Sequence, residues 1–259
     1  MKILLSPAKK LDFTTENSSL NNTNISFPKE STLVMDKLSS YSALELSKLM
    51  KLSTNLSILN KERNDKWSYP FNDESAKQAL FTFKGEVYQN MRVEEFSNED
   101  LNFANKSIRI LSGLYGILNP SDLILPYRLE MGTKLETDYG KNLYEFWGHS
   151  LTESLNKAME ESPGEKVLIN LASNEYFKSV HAGELEFPVM TPMFLDRKEG
   201  GDYKTVSFYA KRARGSMASW IIRNRVSQSE QFEEFAENGY EFCSERSHNQ
   251  SPVFIRTNS

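Results

Sequence analysis

Residues 107–135 read SIRILSGLYGILNPSDLILPYRLEMGTKL, and the character of the chain changes where they begin. Ser107–Leu111 (SIRIL) is a short, branched, apolar run bounded by turn formers, as buried strands are. Gly113 and Gly116 follow three residues apart and permit positive φ or a close backbone approach, so their amides could face a phosphate. Turn punctuation is the plainer reading, because the third glycine of G-x-G-x-x-G and the lysine of a P-loop are missing. Asn119-Pro120 then reads as a helix start, with Pro120 at the first helical position. Beyond it, Tyr127, Arg128 and Glu130 interrupt an apolar stretch, where a guanidinium and a carboxylate must pair or face a cavity.

Outward from this segment, Lys166–Leu171 (KVLINL) predicts a second buried strand, and Ile3–Leu5 a third that ends before Pro7. Thr14–Lys29, rich in Ser, Asn and Thr, reads as an exposed loop. From Ser31 to about Lys84 the signals are helical: Ser42 and Glu45 form a capping-box pattern before Leu46, Leu49 and Met50, and Asp73 precedes Ala76, Ala79, Leu80 and Phe83. Leu143–Glu160 predicts one helix, with Phe146, Trp147, Leu151, Leu155 and Ala158 near one face and the Pro163-Gly164 turn as its stop. Val189–Leu195 and Thr205–Tyr209 flank the turn-rich EGGDY and predict a hairpin, while Tyr240–Cys243 and Val253–Arg256 read as two further strands. No repeat or long linker divides the chain, so the expectation is one α+β domain over residues 1–259.

The formal charge of −4 and pI near 5.6 argue against a surface that is basic throughout. Between Tyr203 and Ser229, however, lie Lys204, Lys211, Arg212, Arg214, Arg223 and Arg225 with no acidic residue. Laid out at helical pitch, Tyr209–Val226 puts Ala213, Met217, Trp220 and Ile221 on one apolar arc with basic residues around it, the best polyanion-binding candidate in the sequence. Two smaller candidates are strand ends running into polar turns: Ser6–Asp12 (SPAKKLD), with two lysines, and Asn170–Lys178, where Ser173 or Asn174 would cap a helix. Their plain readings are a solvated turn and an ordinary capped helix. The single cysteine, Cys243, excludes an internal disulfide and a cysteine cluster for metal. His149, His181 and His248 fall in no metal-binding spacing, so neither metal nor cofactor is expected. With no membrane-length apolar run and no signal-peptide core, the protein reads as cytoplasmic.

The strings SPAKKLD, FKGEVY (83–88), LSGLYGIL, PYRLEMGTKL, LYEFWG, NLASNEYFKSV and YAKRARGSMASWII occur in this order, followed by GYEF and VFIR. By these strings the chain resembles the YaaA-type peroxide-stress family over its full length. It departs from the family pattern at Lys10, Asn119 and His149, where threonine, arginine and an acid are the commoner residues. The resemblance implies a family-specific single-domain α+β fold with a positively charged cleft and a helix-hairpin-helix element like those of DNA repair proteins. It also implies a role in limiting oxidative damage, and free iron, under peroxide stress. The hairpin element would be ALELSKLM (43–50), the KLSTN connection, and a helix from Leu56 to Trp67 carrying Lys61, Arg63 and Lys66.

Two functions compete on this reading. The first is a monomeric, non-enzymatic DNA-binding protein that uses Lys9, Lys10, Lys51, Lys61, Arg63, Lys211, Arg212 and Arg214 on duplex or distorted DNA without strong sequence preference. The second is an enzyme or small-ligand binder whose pocket gathers Ser6, Ser112, Tyr115, Tyr127, Arg128, Glu130, Asn174, Glu175 and Lys178 around an anionic or nucleobase-like substrate. Direct iron sequestration would need clustered ligands that the spacing does not offer.

Overall fold

The computed structural model describes residues 1–14, 20–71, 74–162, 164–198, 201–248 and 250–258. Its central strand is Lys2–Leu5, buried along its whole length. Ile108–Ser112 lies parallel to it on one side and Leu168–Asn170 parallel on the other, with Ile3 opposite both Ile108 and Ile169. Gly116–Leu118 adds an antiparallel edge and Val189–Met190 a parallel one, completing five strands. A sheet covered on both faces favours apolar residues on both sides of each strand, which is why these strands read as mostly apolar runs, with Lys2, Arg109 and Asn170 as polar interruptions. Both glycines of LSGLYGIL are needed where they stand. Gly116 has φ +72°, and a Cβ on Gly113 would lie 2.7 Å from the Leu129 carbonyl oxygen.

The helical N-terminal third forms as expected: Pro28–Ser39, Ala43–Met50 and Thr54–Lys66, with the Ser42–Glu45 capping box intact. Asp73, expected to open the next helix, lies outside the described residues, and the helix there is the short Ala79–Thr82. Four other expectations are corrected. The described part of Thr14–Lys29 is not simply exposed, because Leu20 and Ile25 are buried and the Thr23 hydroxyl donates to the Asp122 carboxylate at 2.6 Å. Asn119-Pro120 opens no helix, since the buried Asp122 carboxylate accepts the Asn119 N–H at 2.8 Å and closes a turn instead. Leu143–Glu160 is two helices, Leu143–Trp147 and Ser150–Glu160, broken at Gly148 with φ +46°; Pro163, its expected stop, lies outside the described residues. The fourth is the hairpin, which does not form.

Val189–Met190 joins the central sheet, whereas Met193–Lys198 runs parallel to Val253–Asn258 in a separate sheet completed by Glu241–Phe242. Among the described residues of that stretch only Lys204 bridges back, to Asp196, and a helix begins at Ser207. The strand-like string TVSFY is overruled because Ala210, Ala213 and Met217 must be buried together, which only helical pitch allows. That helix, Ser207–Arg223, crosses Glu86–Met91 at very close range. Gly215 sits at the crossing, where an added Cβ would overlap the Val87 carbonyl oxygen and stand 2.9 Å from its carbon. Among the described residues no helix is long and apolar enough to cross a membrane.

Candidate functional site

Parallel strands end at one edge of their sheet, and ligands of such sheets sit in the crevice beyond those ends, where neighbouring chains leave in different directions. Here Lys2–Leu5 continues into Ser6-Pro7-Ala8-Lys9-Lys10, and Leu168–Asn170 into Leu171–Asn174. Between these exits lies a cleft of about 750 Å³. Its other walls come from Lys84–Tyr88, from Tyr127–Glu130, and from Ser207, Lys211 and Arg214 of the long helix. Six cations line it against three carboxylates. The cleft is therefore basic in a chain that is acidic as a whole.

Ser6 joins the two strand exits, for its hydroxyl accepts the Ser173 N–H at 2.9 Å and lies 3.3 Å from the Ser173 hydroxyl. Ser173 thus occupies the cap position of the Asn174–Phe177 helix, but its side chain serves Ser6 and does not cap. The Ser6 carbonyl accepts the Tyr88 hydroxyl at 2.9 Å, tying the FKGEVY segment to the same point. Lys10–Leu11 pairs with Phe83–Lys84, and Gly85 admits Ala8 so closely that a Cβ would meet the Ala8 Cβ at 3.0 Å.

Arg128 and Glu130 do pair: the guanidinium reaches the Glu130 carboxylate at 2.8 Å, and Lys9 reaches the same oxygen at 2.9 Å. Burial alone would raise the Glu130 pKa, but these two cations outweigh it and hold the carboxyl below its ordinary range. Glu175 accepts the Gly132 N–H at 3.0 Å. Arg214 differs from its neighbours. Burial lowers its pKa, and no carboxylate among the described residues pairs with it. Beside it the N-terminus of the 17-residue helix presents Ser207, with no acidic residue in the first turn and no side-chain cap, so the positive end of the helix is open.

The sequence-predicted residues divide into those that line the cleft and those that do not. Ser6, Lys9, Lys10, Tyr127, Arg128, Glu130, Asn174, Glu175, Lys211 and Arg214 line it. Ser112 is fully buried behind it, 2.8 Å from the Tyr127 hydroxyl, and Tyr115 is buried deeper, bonded to Trp67. Lys178 is exposed outside the lining, and Arg212 turns toward Asn90 and the Phe208 ring. Lys51 caps the helix Ala43–Met50, and Lys61 and Arg63 belong to its partner Thr54–Lys66, away from the cleft lining. These helices meet through Lys51 in the left-handed conformation, Lys61 is engaged by Asp65, and the pair exposes Leu44, Leu56, Ile58 and Leu59.

Lys84, Glu86, Tyr88 and Ser207 are lining residues that chemical reasoning on the sequence did not single out. FKGEVY carried the only signal for three of them: a glycine flanked by a cation, a carboxylate and a tyrosine.

The family model for "Peroxide stress protein YaaA" matches residues 1–246. A UPF0246 protein of Hahella chejuensis is 48% identical over 242 residues, covering 93% of this chain and 94% of its own. One from Cellvibrio japonicus is 46% identical over 253 residues, with 98% and 97% covered, and one from Colwellia psychrerythraea is 45% identical over 259 residues, with both chains covered completely. By that full-length match and by the strings that wall the cleft, the chain belongs to the peroxide stress protein YaaA family.

Proposed function

We propose that the chain serves peroxide resistance by holding DNA at the basic cleft, backbone phosphate first. The observation that carries this reading is Arg214, a part-buried guanidinium that no carboxylate among the described residues pairs with, beside an uncapped helix start. A buried cation left unpaired is costly, and an incoming phosphate oxygen relieves that cost where water cannot. Ser207, Lys211 and Arg214 recur at helical spacing on one face, so a single phosphate can meet the helix N–H groups and the guanidinium together. A volume of about 750 Å³ suits one nucleotide and not a duplex. Duplex or distorted DNA would then rest on Lys9, Lys10 and Lys211 at the mouth, with one backbone unit turned inward.

Fluorescence anisotropy with labelled duplexes tests this. Affinity is expected to fall more than tenfold between about 50 and 200 mM salt, as several phosphate contacts require. The Lys211→Ala/Arg214→Ala variant should weaken every sequence alike and flatten the salt slope by roughly two units, while Arg212→Ala should change little. Unaltered binding by the double variant would remove the cleft from the interface.

A second reading rests on the polar groups gathered in the cleft at Ser6, Ser173 and Glu130, which suit an enzyme or binder of a small anionic or nucleobase-like molecule. Tight binding of a mononucleotide that DNA does not displace would favour it.

A further inference from the structure

His149 and His181 stand 32 positions apart and share no motif, yet their rings meet edge to face with centroids 4.4 Å apart. Glu184 lies between them. One carboxylate oxygen is 2.6 Å from Nδ1 of His149 and the other 3.4 Å from Nδ1 of His181. Among the described residues these three form the one group of His, Cys, Asp or Glu side chains whose ligand atoms all lie within 4.8 Å of one another. None of the three lines the cleft.

The arrangement is fixed by the backbone around it. His149 follows Gly148, whose φ of +46° breaks the helix and starts a new one at Ser150. One turn on, the Thr152 hydroxyl accepts the His181 N–H at 2.9 Å. A further turn on, the Asn156 side chain donates to the Glu184 carbonyl at 3.1 Å and accepts the Glu186 N–H at 3.2 Å. The helix thereby holds the 181–186 segment at two points, and the short turn Ala182–Glu184 presents His181 and Glu184 on the side where His149 emerges. The side chains themselves stay 60%, 37% and 51% exposed for His149, His181 and Glu184, so solvent and solutes reach them.

We propose that His149, His181 and Glu184 form a binding site for a divalent first-row transition ion. Two imidazoles and one carboxylate are the donor set of open zinc sites and of related nickel, cobalt and iron sites. Bond lengths of about 2.0–2.2 Å place neighbouring donors about 3.0–3.6 Å apart, so small rotations of exposed side chains close the present spacing. Hard cations such as magnesium and calcium, which take oxygen ligands, do not match. Three protein donors leave the remaining positions to water or to a ligand of the ion.

The test is isothermal titration of the full chain with zinc chloride, paired with cobalt(II) absorption as an independent report of imidazole coordination. One ion per chain is expected. His149→Ala and His181→Ala should each weaken zinc binding at least tenfold and together abolish it. Glu184→Gln should weaken it while the cobalt spectrum shifts. Because His149 and Glu184 are exposed and His181 is half-buried, with none of them in the core, the metal-free variants should melt close to the parent, which separates a lost ligand from a lost fold. Zinc binding by the double histidine variant with parental affinity, or a parent that takes up no zinc, would overturn the assignment.

Discussion

Replacing Gly215 by alanine probes the crossing on which the cleft depends. On helix propensity alone the change should stabilise the Ser207–Arg223 helix by about 1 kcal/mol. The crossing reverses the sign. A Cβ at this position overlaps the Val87 carbonyl oxygen, stands 2.9 Å from the Val87 carbonyl carbon and 3.1 Å from the Asn90 Cβ. Two of these atoms are backbone of the Glu86–Met91 helix, so no rotamer change relieves the overlap and the two helices must part. Overpacking of that kind costs about 1–3 kcal/mol, and a backbone obstacle argues for the upper end. The net expectation is a loss of about 2 kcal/mol, a melting temperature about 4–8 °C lower in a chain of this size. Gly183→Ala is the control, since nothing lies within 4 Å of its added Cβ. Thermal and urea unfolding of both variants decide the matter. Gly215→Ala at or above parental stability would show that the helices do not touch there. Because the Glu86–Met91 helix carries Glu86 and Tyr88 into the cleft, the same variant should also bind DNA more weakly than Gly183→Ala does.

Two further outcomes concern charge. Lys2 is almost fully buried, and burial pushes its ammonium pKa down to about 8 from 10.5. The unfolded chain then holds more protons than the folded one between those values, so stability rises with pH across that window, and below it the full penalty of about 3 kcal/mol applies. Lys2→Met should accordingly lose its advantage over the parent as pH climbs from 7.5 to 10.5, and urea midpoints showing a constant difference would refute the burial argument. Glu130→Gln removes the carboxylate that occupies Arg128 and Lys9, so it should tighten DNA binding several-fold while lowering stability by about 1–3 kcal/mol. Weaker binding in anisotropy would mean that Glu130 itself touches the ligand.

What the sequence made legible was whatever a local pattern decides. SIRIL and KVLINL are legible as strands because a doubly covered sheet is mostly apolar along each strand, and Ser42–Glu45 caps a helix through bonds within four residues. Arg128 and Glu130 announced their pairing because charges in an apolar stretch have few alternatives. What stayed hidden depends on partners far along the chain. TVSFY looks like strand until Ala210, Ala213 and Met217 are seen to be buried as one helix face. The single helix expected over residues 143–160 breaks because Gly148 takes a positive φ, which periodicity does not report. FKGEVY yields its roles only once Tyr88 is placed against the Ser6 carbonyl, 82 positions away.

The overall charge of −4 and the basic cleft are one arrangement and not two facts in tension. At physiological salt, exposed charges are screened beyond about 8 Å, so acidic residues elsewhere on the molecule neither cancel the cleft nor hold a polyanion off it once it has docked. Before contact they matter: the overall negative charge works against approach of a duplex, and the six cations around the cleft oppose that charge locally. Binding should then involve few phosphates, those reached by Lys9, Lys10, Lys211 and Arg214. A protein coated with cations would show a steep, extended salt dependence. This one should show a shallow slope of roughly three or four units, nearly all of it removable by changes within the cleft.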